Sequence, residues 1–384
     1  MKNVALIVYG RFPTEKAYGS HLIDVANGFI SNKVAVSIIY SETSNDKTIF
    51  ESPESYYASE KIKYIEAKNF DFTKLDFFKI LPNILKKVLW SIGAYFWSRN
   101  LKYTLKDYDT LWSTNPNILI SHANSDKTII YEKHGAGKKF QKVILKQLSK
   151  SKNVFFVGTT KTSFKELSNL AKSRSIYLTN GVNLSQYKNN KKNFSTSKLN
   201  IGYIGMLETY GKDKGVKNAF QQIKNLPDEH NIKATLIGGP KQKLDEILNE
   251  FKDSKIEFSY SDKIPKNQVP NAMKKLDIGI VPYPEETHMT NYASPMKIFE
   301  YAASNVVILA SDIKSNFELQ DTNLGILYYK AGDFDDFRNK LLLLINNAEL
   351  RNKLLLKSQR NIENYSLQKR FQTLINFCVR SSNG

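Results

Sequence analysis

Lys297 and Glu300 stand three residues apart just after Ser294-Pro295, so on a helix a cation and a carboxylate share one face close to its start. A helix start leaves four backbone N–H groups without intrahelical partners and attracts anions, phosphate above all. Ser294, Pro295, Met296 and Lys297 are therefore candidate anion-binding residues. Glu300, about two turns in, is placed to accept hydrogen bonds from ribose hydroxyls. The short apolar runs Ile278 to Pro282 and Val306 to Ala310 flank this segment and read as buried strands. Strand, loop, helix, strand is the architecture of a ligand crevice, although an ordinary buried helix capped by Ser294 also fits these residues taken alone.

Four other stretches carry potential chemistry. Gly19-Ser20, in FPTEKAYGSH after the first strand-like run, would let backbone approach a phosphate closely; GxGxxG is absent, which argues against a nicotinamide-type fingerprint. In GYIGMLETYGKDKG, residues 202 to 215, a strand meets a glycine turn at Gly205, and the loop offers Lys212 and Lys214 to neutralise a leaving diphosphate. His134, in IIYEKHGAGK, follows a strand at the sheet edge where open α/β sheets bind ligands, a position for a catalytic imidazole or for a structural one. Asn180-Gly181, in LTNGVNLSQY, marks a tight turn.

The elements that must position these residues alternate strand and helix. Strand-like runs at Val4 to Tyr9, Val34 to Tyr40, Thr110 to Trp112, Thr128 to Glu132 and Val154 to Gly158 are separated by helical patterns, which predicts a parallel sheet. A polar stretch, Lys188 to Lys198, interrupts them. A second series follows at Asn200 to Ile204, Lys233 to Ile237, Ile256 to Phe258, Ile278 to Pro282, Val306 to Ala310 and Gly325 to Tyr328. The predicted layout is an α/β chain of two doubly wound, Rossmann-like domains, 1–180 and 199–363, joined by a linker at 181–198. A helix over about 364–384, with Leu367, Phe371, Leu374, Ile375 and Phe377 apolar, docks back. No tandem repeat or coiled-coil heptad is present. The single cysteine, Cys378, excludes an intramolecular disulfide and fits a reducing cytoplasm; no secretory signal is expected at the N-terminus.

The net charge of +19 is uneven: residues 1–195 hold 30 Lys+Arg against 15 Asp+Glu, and residues 196–384 hold 26 against 22. Lys138, Lys142, Lys146 and Lys150 recur every four residues, and no acidic residue lies between Glu132 and Glu166. This pattern suits an anionic membrane or acceptor, or a plain solvated face. Nucleic acid is not expected as a partner, because no finger, RNP-like strand or basic zipper accompanies the charge. Within residues 77–103, apolar side chains at 81, 84, 85, 88, 89, 92, 95 and 96 predict a helix with one broad buried face. Its longest uncharged run, Val88 to Ser98, has 11 residues, too few to cross a bilayer. Lys86, Trp90, Gly93 and Trp97 fall on another face, suited to lying on lipid or to packing on a neighbouring helix.

The order TNGVN, GYIGMLETYGKDKG, TLIGGP, IPKNQVPNAMKKLDIGIVPY, ASPMKIFEYAA resembles the family-4 nucleotide-sugar glycosyltransferases over nearly the whole chain. The resemblance implies a retaining enzyme with the two-domain GT-B fold, whose domains face a cleft. It implies His134 at the active-site face of the acceptor domain and Gly19 and Gly205 in glycine loops at the donor. It also implies Ile264 at the base through backbone groups, Glu300 at the ribose, and Lys214 with the amides near Met296 and Lys297 at the diphosphate. Two positions depart from the family pattern: many members have a pair of glutamates with seven residues between them, and here the second is Glu300 while the first position is Tyr292; Met206 stands where many have arginine. The implied reaction is front-face transfer from a UDP- or GDP-sugar to a lipid-linked or oligosaccharide acceptor, in the cytoplasm and peripherally on the inner membrane face. No cofactor and no essential metal is expected; the Asp333 to Asp335 pair reads as a helix cap. A nucleotide-sugar 2-epimerase of the same architecture, or a non-catalytic binder of anionic polymers or nucleic acid, is the alternative.

Overall fold

The computed structural model describes residues 1–42, 49–69, 75–137, 139–187, 198–209, 211–227 and 230–382. The chain divides into two compact units, Met1–Thr179 with Leu367–Gly384, and Asn180–Ser366. Lys138, Tyr210 and, of the expected linker at 181–198, residues 188–197 lie outside the described residues.

The first unit is built on seven strands, β1 (Asn3–Val8), β2 (Ala35–Ser41), β3 (Lys63–Ala67), β4 (Thr110–Ser113), β5 (Thr128–Lys133), β6 (Val154–Gly158) and β7 (Ser175–Tyr177). They pair in parallel in the order β3-β2-β1-β4-β5-β6-β7. Strand alternation feeds two cores. Val4 and Leu6 point into one, with Phe29 of the Ala17–Ile30 helix and Phe371 of the Leu367–Ser382 helix. Ala5 and Ile7 point into the other, with Trp97, Leu145 and Leu167 from three further helices. Phe371, Leu374 and Cys378 are buried, and the Phe29 and Phe371 rings meet at 4.6 Å, which holds the C-terminal helix on the first unit.

In the second unit β8 (Leu199–Ile204), β11 (Ile232–Ile237), β12 (Glu257–Ser261), β13 (Ile278–Val281), β14 (Val307–Ser311) and β15 (Ile326–Tyr329) form a parallel sheet ordered β12-β11-β8-β13-β14-β15. A two-stranded antiparallel ribbon, β9 (Glu208–Thr209) and β10 (Lys212–Asp213), follows β8. Val307 and Leu309 enter one core and Ile308 and Ala310 the other, so β14 is buried on both faces, as its unbroken apolar run requires. Strand order reverses between β1 and β4 and between β8 and β13, the two places where doubly wound sheets open a crevice.

The expected strands match those observed to within one residue at each end, except that β12 runs three residues beyond the expected Phe258. The sequence reading omits β3 and β7, both edge strands and short or half-buried, and reads the β9–β10 ribbon as loop. The Asn83–Asn100 helix corrects the expected orientation. Its buried residues are Gly93, Ala94, Trp97 and Ser98, while Ile84, Leu85, Val88, Ile92 and Phe96 are exposed. The small side chains at 93, 94 and 98 allow close approach: Ser98 Oγ donates to Ile118 O at 3.0 Å. Tyr9 takes Trp90 and Trp97 against its ring at 4.7 and 5.5 Å. Of the lysine series, Lys142, Lys146 and Lys150 are exposed. Among the described residues no helix is long and apolar enough to cross a membrane.

Candidate functional site

In the second unit the candidate residues gather where β8 and β13 lie side by side. β8 ends at Ile204 and turns at Gly205; β13 ends at Val281 and leads to Tyr283. The ribbon brings the chain back so that Lys214 N donates to Leu207 O at 3.0 Å. Lys214 Nζ then sits 5.8 Å from the centroid of the Tyr283 ring. Lys297 lies against Gly205, where a Cβ would come within 2.5 Å of its Cε, and its Nζ donates to Glu300 Oε2 at 2.7 Å. Burial first, and the Lys297 charge second, lower the Lys214 pKa to about 8, against a smaller opposing pull from Glu300. Two cations, one of them with no ion-pair partner among the described residues, thus converge beyond the strand ends.

Buried tyrosines fix the turn that holds them. Tyr203 Oη donates to Met206 O at 2.8 Å, and Ile204 N donates to Tyr301 Oη at 3.3 Å. Ser294 is not a helix cap: Asn180 N donates to its hydroxyl and Asn180 Nδ2 to its carbonyl, both at 3.1 Å. The Met296–Ala303 helix therefore begins at Pro295 with no side-chain cap, leaving its first amides for another acceptor. Lys212 is exposed on β10 and does not join Lys214, and Ile264 is half-buried after β12. Tyr292 is buried at the end of the Thr287–Tyr292 helix. Asp333 accepts from Asp336 N at 3.0 Å, so it is the expected cap. Gly205 has a φ of +151°, and Gly205→Ala is expected to cost about 1–3 kcal/mol in urea unfolding while displacing Lys297. An unchanged midpoint with unchanged nucleotide affinity would count against this packing.

In the first unit His134 follows β5, and Glu132 on that strand is fully buried. Glu132 Oε1 lies 2.8 Å from His134 Nε2 and 3.0 Å from His21 Nε2, on the helix after β1. Arg370, from the C-terminal helix, donates to Glu132 Oε2 at 3.0 Å and to Thr179 O at 2.7 Å. Burial alone would raise the Glu132 pKa, but Arg370 and the two imidazoles together hold it well below the usual range. Burial, then the nearby His134, push His21 below its ordinary value, so His21 is neutral near pH 7. An ionised Glu132 makes His134 Nε2 the donor of that contact and turns Nδ1 away from the carboxylate. His21, Glu132 and His134 also bring three ligand-type atoms within 4.8 Å of one another, the group that could hold a metal ion among the described residues. At Gly19 a Cβ would meet Tyr57 Oη at 2.2 Å and Thr14 Cγ2 at 2.7 Å, so its close approach is to this chain's own loop.

Sequence reasoning did not single out His21, Glu132, Arg370 or Tyr283 as site residues. Glu132 and His21 stand in the quoted stretches YEKH and YGSH, but 111 residues of sequence separate them, as do 238 for Glu132 and Arg370.

Residues 198–347 match the family model described as glycosyl transferases group 1. No curated protein sequence matches the chain. Among solved structures, Anabaena HepE in complex with UDP is similar at a TM-score of 0.68 and 13% identity, over 98% of this chain and 99% of that one. A glycosyltransferase from Rickettsia africae gives 0.72 and 12%, over 99% and 98%. A TarM variant from S. aureus, in complex with fondaparinux, α-GlcNAc-glycerol and UDP, gives 0.72 and 12%, over 98% and 100%. At such identities the likeness speaks for the fold. The chain therefore has the two-domain GT-B fold, and its residues 198–347 are similar to the group 1 glycosyl transferases.

Proposed function

We propose that the protein is a retaining glycosyltransferase that moves a hexose or N-acetylhexosamine from a UDP- or GDP-sugar to a lipid-linked or polysaccharide acceptor on the cytoplasmic face of a membrane. The observation that carries this reading is the pair Lys214 and Lys297 at the reversal point of the second sheet, beside an uncapped helix start. HepE solved with UDP, and again with UDP-glucose, supports a nucleotide-sugar donor.

In this reading the diphosphate lies between Lys214, Lys297 and the amides of Met296 and Lys297. As the glycosyl–oxygen bond breaks, its electron pair passes to the departing phosphate oxygen, and the two cations stabilise the growing charge. The acceptor hydroxyl attacks on the same face and gives its proton to that oxygen, so the anomeric configuration is retained. Protein cations supply the compensation for which other sites use a metal, and no metal is essential. Glu300 exchanges its contact with Lys297 for the ribose hydroxyls, and Ile264 offers backbone to the base. In the first unit His134, held by Glu132, orients a substrate hydroxyl through Nδ1.

Thermal shift with UDP, GDP, ADP and CMP, with and without magnesium, tests the donor. Ligand at a hundredfold over its Kd stabilises by about 2.7 kcal/mol, so a selective rise of a few degrees is expected with UDP or GDP, unaffected by chelator. No rise with any nucleotide would sink the reading. NMR of the product made from an α-linked donor is expected to show an α-linkage, and a 2-epimer formed without acceptor would identify an epimerase instead.

A further inference from the structure

The exposed face of the Asn83–Asn100 helix is an apolar surface with a basic border. Ile84, Val88, Ile92 and Phe96 recur every four residues, and Leu85 lies beside them; they are 76, 40, 44, 56 and 48% exposed in that order. Ile80, just before the helix, and Tyr103, just after it, are 85 and 88% exposed. Single exposed apolar residues are ordinary on a protein surface, whereas a continuous stripe of them marks an interaction site.

Charge selects the occupant. No acidic residue occurs between Asp76 and Asp107, and the interval includes Lys86, Lys87, Arg99, Lys102 and Lys106. The Lys139–Leu148 helix shares a core with this one and adds exposed Lys142 and Lys146, with Val143 70% exposed. A surface that pairs with a second protein copy would meet its own positive border, and the repulsion would oppose association. Apolar side chains bordered by cations alone fit a bilayer with anionic headgroups, and the helix is too polar to span one.

We propose that this helix lies in the plane of an anionic membrane, with Ile84, Val88, Ile92 and Phe96 among the acyl chains and the lysines and arginine at the headgroups. Trp90 and Trp97, on the opposite face, hold the helix to Tyr9, the residue that follows β1. The docking surface is thereby anchored at the C-terminal edge of the first sheet, the edge that also carries His134. A membrane-borne acceptor follows from that placement only if the transferase reading holds; the membrane contact itself does not depend on it.

The test is co-sedimentation of the full chain with vesicles of phosphatidylcholine, alone or with roughly one third phosphatidylglycerol. The expected result is binding to the mixed vesicles, weakened by salt, and little binding to phosphatidylcholine alone. The variant Ile84→Ser/Val88→Ser/Ile92→Ser/Phe96→Ser is expected to bind at least about tenfold more weakly, because the apolar face supplies the insertion. Its unfolding midpoint and nucleotide thermal shift should match the parent, which separates failure of docking from failure of the fold or of the donor reading. Equal binding by parent and variant overturns the proposal, as does no binding by either. A parent dimer in solution that the four substitutions dissociate also overturns it, by assigning the face to a second copy.

Discussion

Lys214→Ala is expected to lower kcat by about 10²- to 10³-fold while changing nucleoside-diphosphate affinity by less than about tenfold. Lys214 is held over Tyr283 with no paired carboxylate among the described residues, so its charge is available whether or not Glu300 leaves Lys297. Its charge therefore matters most when the diphosphate gains charge. The pH dependence makes the claim sharper. Lys214 in the free protein titrates at about 8, so kcat/KM should fall as pH rises through that value, since only the ammonium form stabilises the leaving group. The folded value lies below the unfolded 10.5, so between the two the unfolded chain binds more protons and this group makes the fold more stable as pH rises. Loss of activity on that limb is thus not loss of structure through Lys214. Lys214→Arg should keep the charge and move the limb to higher pH. Equal small losses in kcat and affinity, or an alkaline limb that survives both substitutions, would remove Lys214 from this role.

The second large effect is on stability. Arg370→Met is expected to destabilise the first unit by about 3–5 kcal/mol in urea unfolding, because it leaves the fully buried Glu132 carboxylate without its cation. The folded pKa of Glu132 is depressed, so the stability it contributes is present above the unfolded value near 4.5 and is lost as pH falls through the folded value. The gap between parent and Arg370→Met should accordingly narrow in acid. Glu132→Gln combined with Arg370→Met should recover part of the loss, giving a coupling energy in a double-mutant cycle. A single-variant loss under about 1 kcal/mol at neutral pH would mean that water, not Arg370, compensates the carboxylate.

Much of this architecture is legible in the sequence, for physical reasons that also explain the gaps. Central strands such as β13 and β14 are buried on both faces and carry apolar runs. Edge strands β3 and β7 lack that signal because one side meets no neighbour. Lys297 and Glu300 share a helix, so their contact follows from spacing. The separation of Lys214 from Lys212 does not, since it depends on how the β9–β10 ribbon returns to Leu207. The Asn83–Asn100 helix shows the limit of periodicity, which finds an apolar stripe without saying what faces it. There the small residues Gly93, Ala94 and Ser98, with two tryptophans, form the inward side. The Glu132 network is hidden for another reason: His21, Glu132 and Arg370 meet only through the sheet order.

The chain's path also sets an order of events during its synthesis. Arg370 follows Glu132 by 238 residues, and the whole second unit lies between them. A ribosome therefore releases the complete second unit before the helix that finishes the first, so the first-made half is the last to mature. Until Leu367–Ser382 arrives, the nascent first unit has neither its last core helix nor the counterion for its buried carboxylate, which makes it the half that chaperones and proteases meet in an unfinished state.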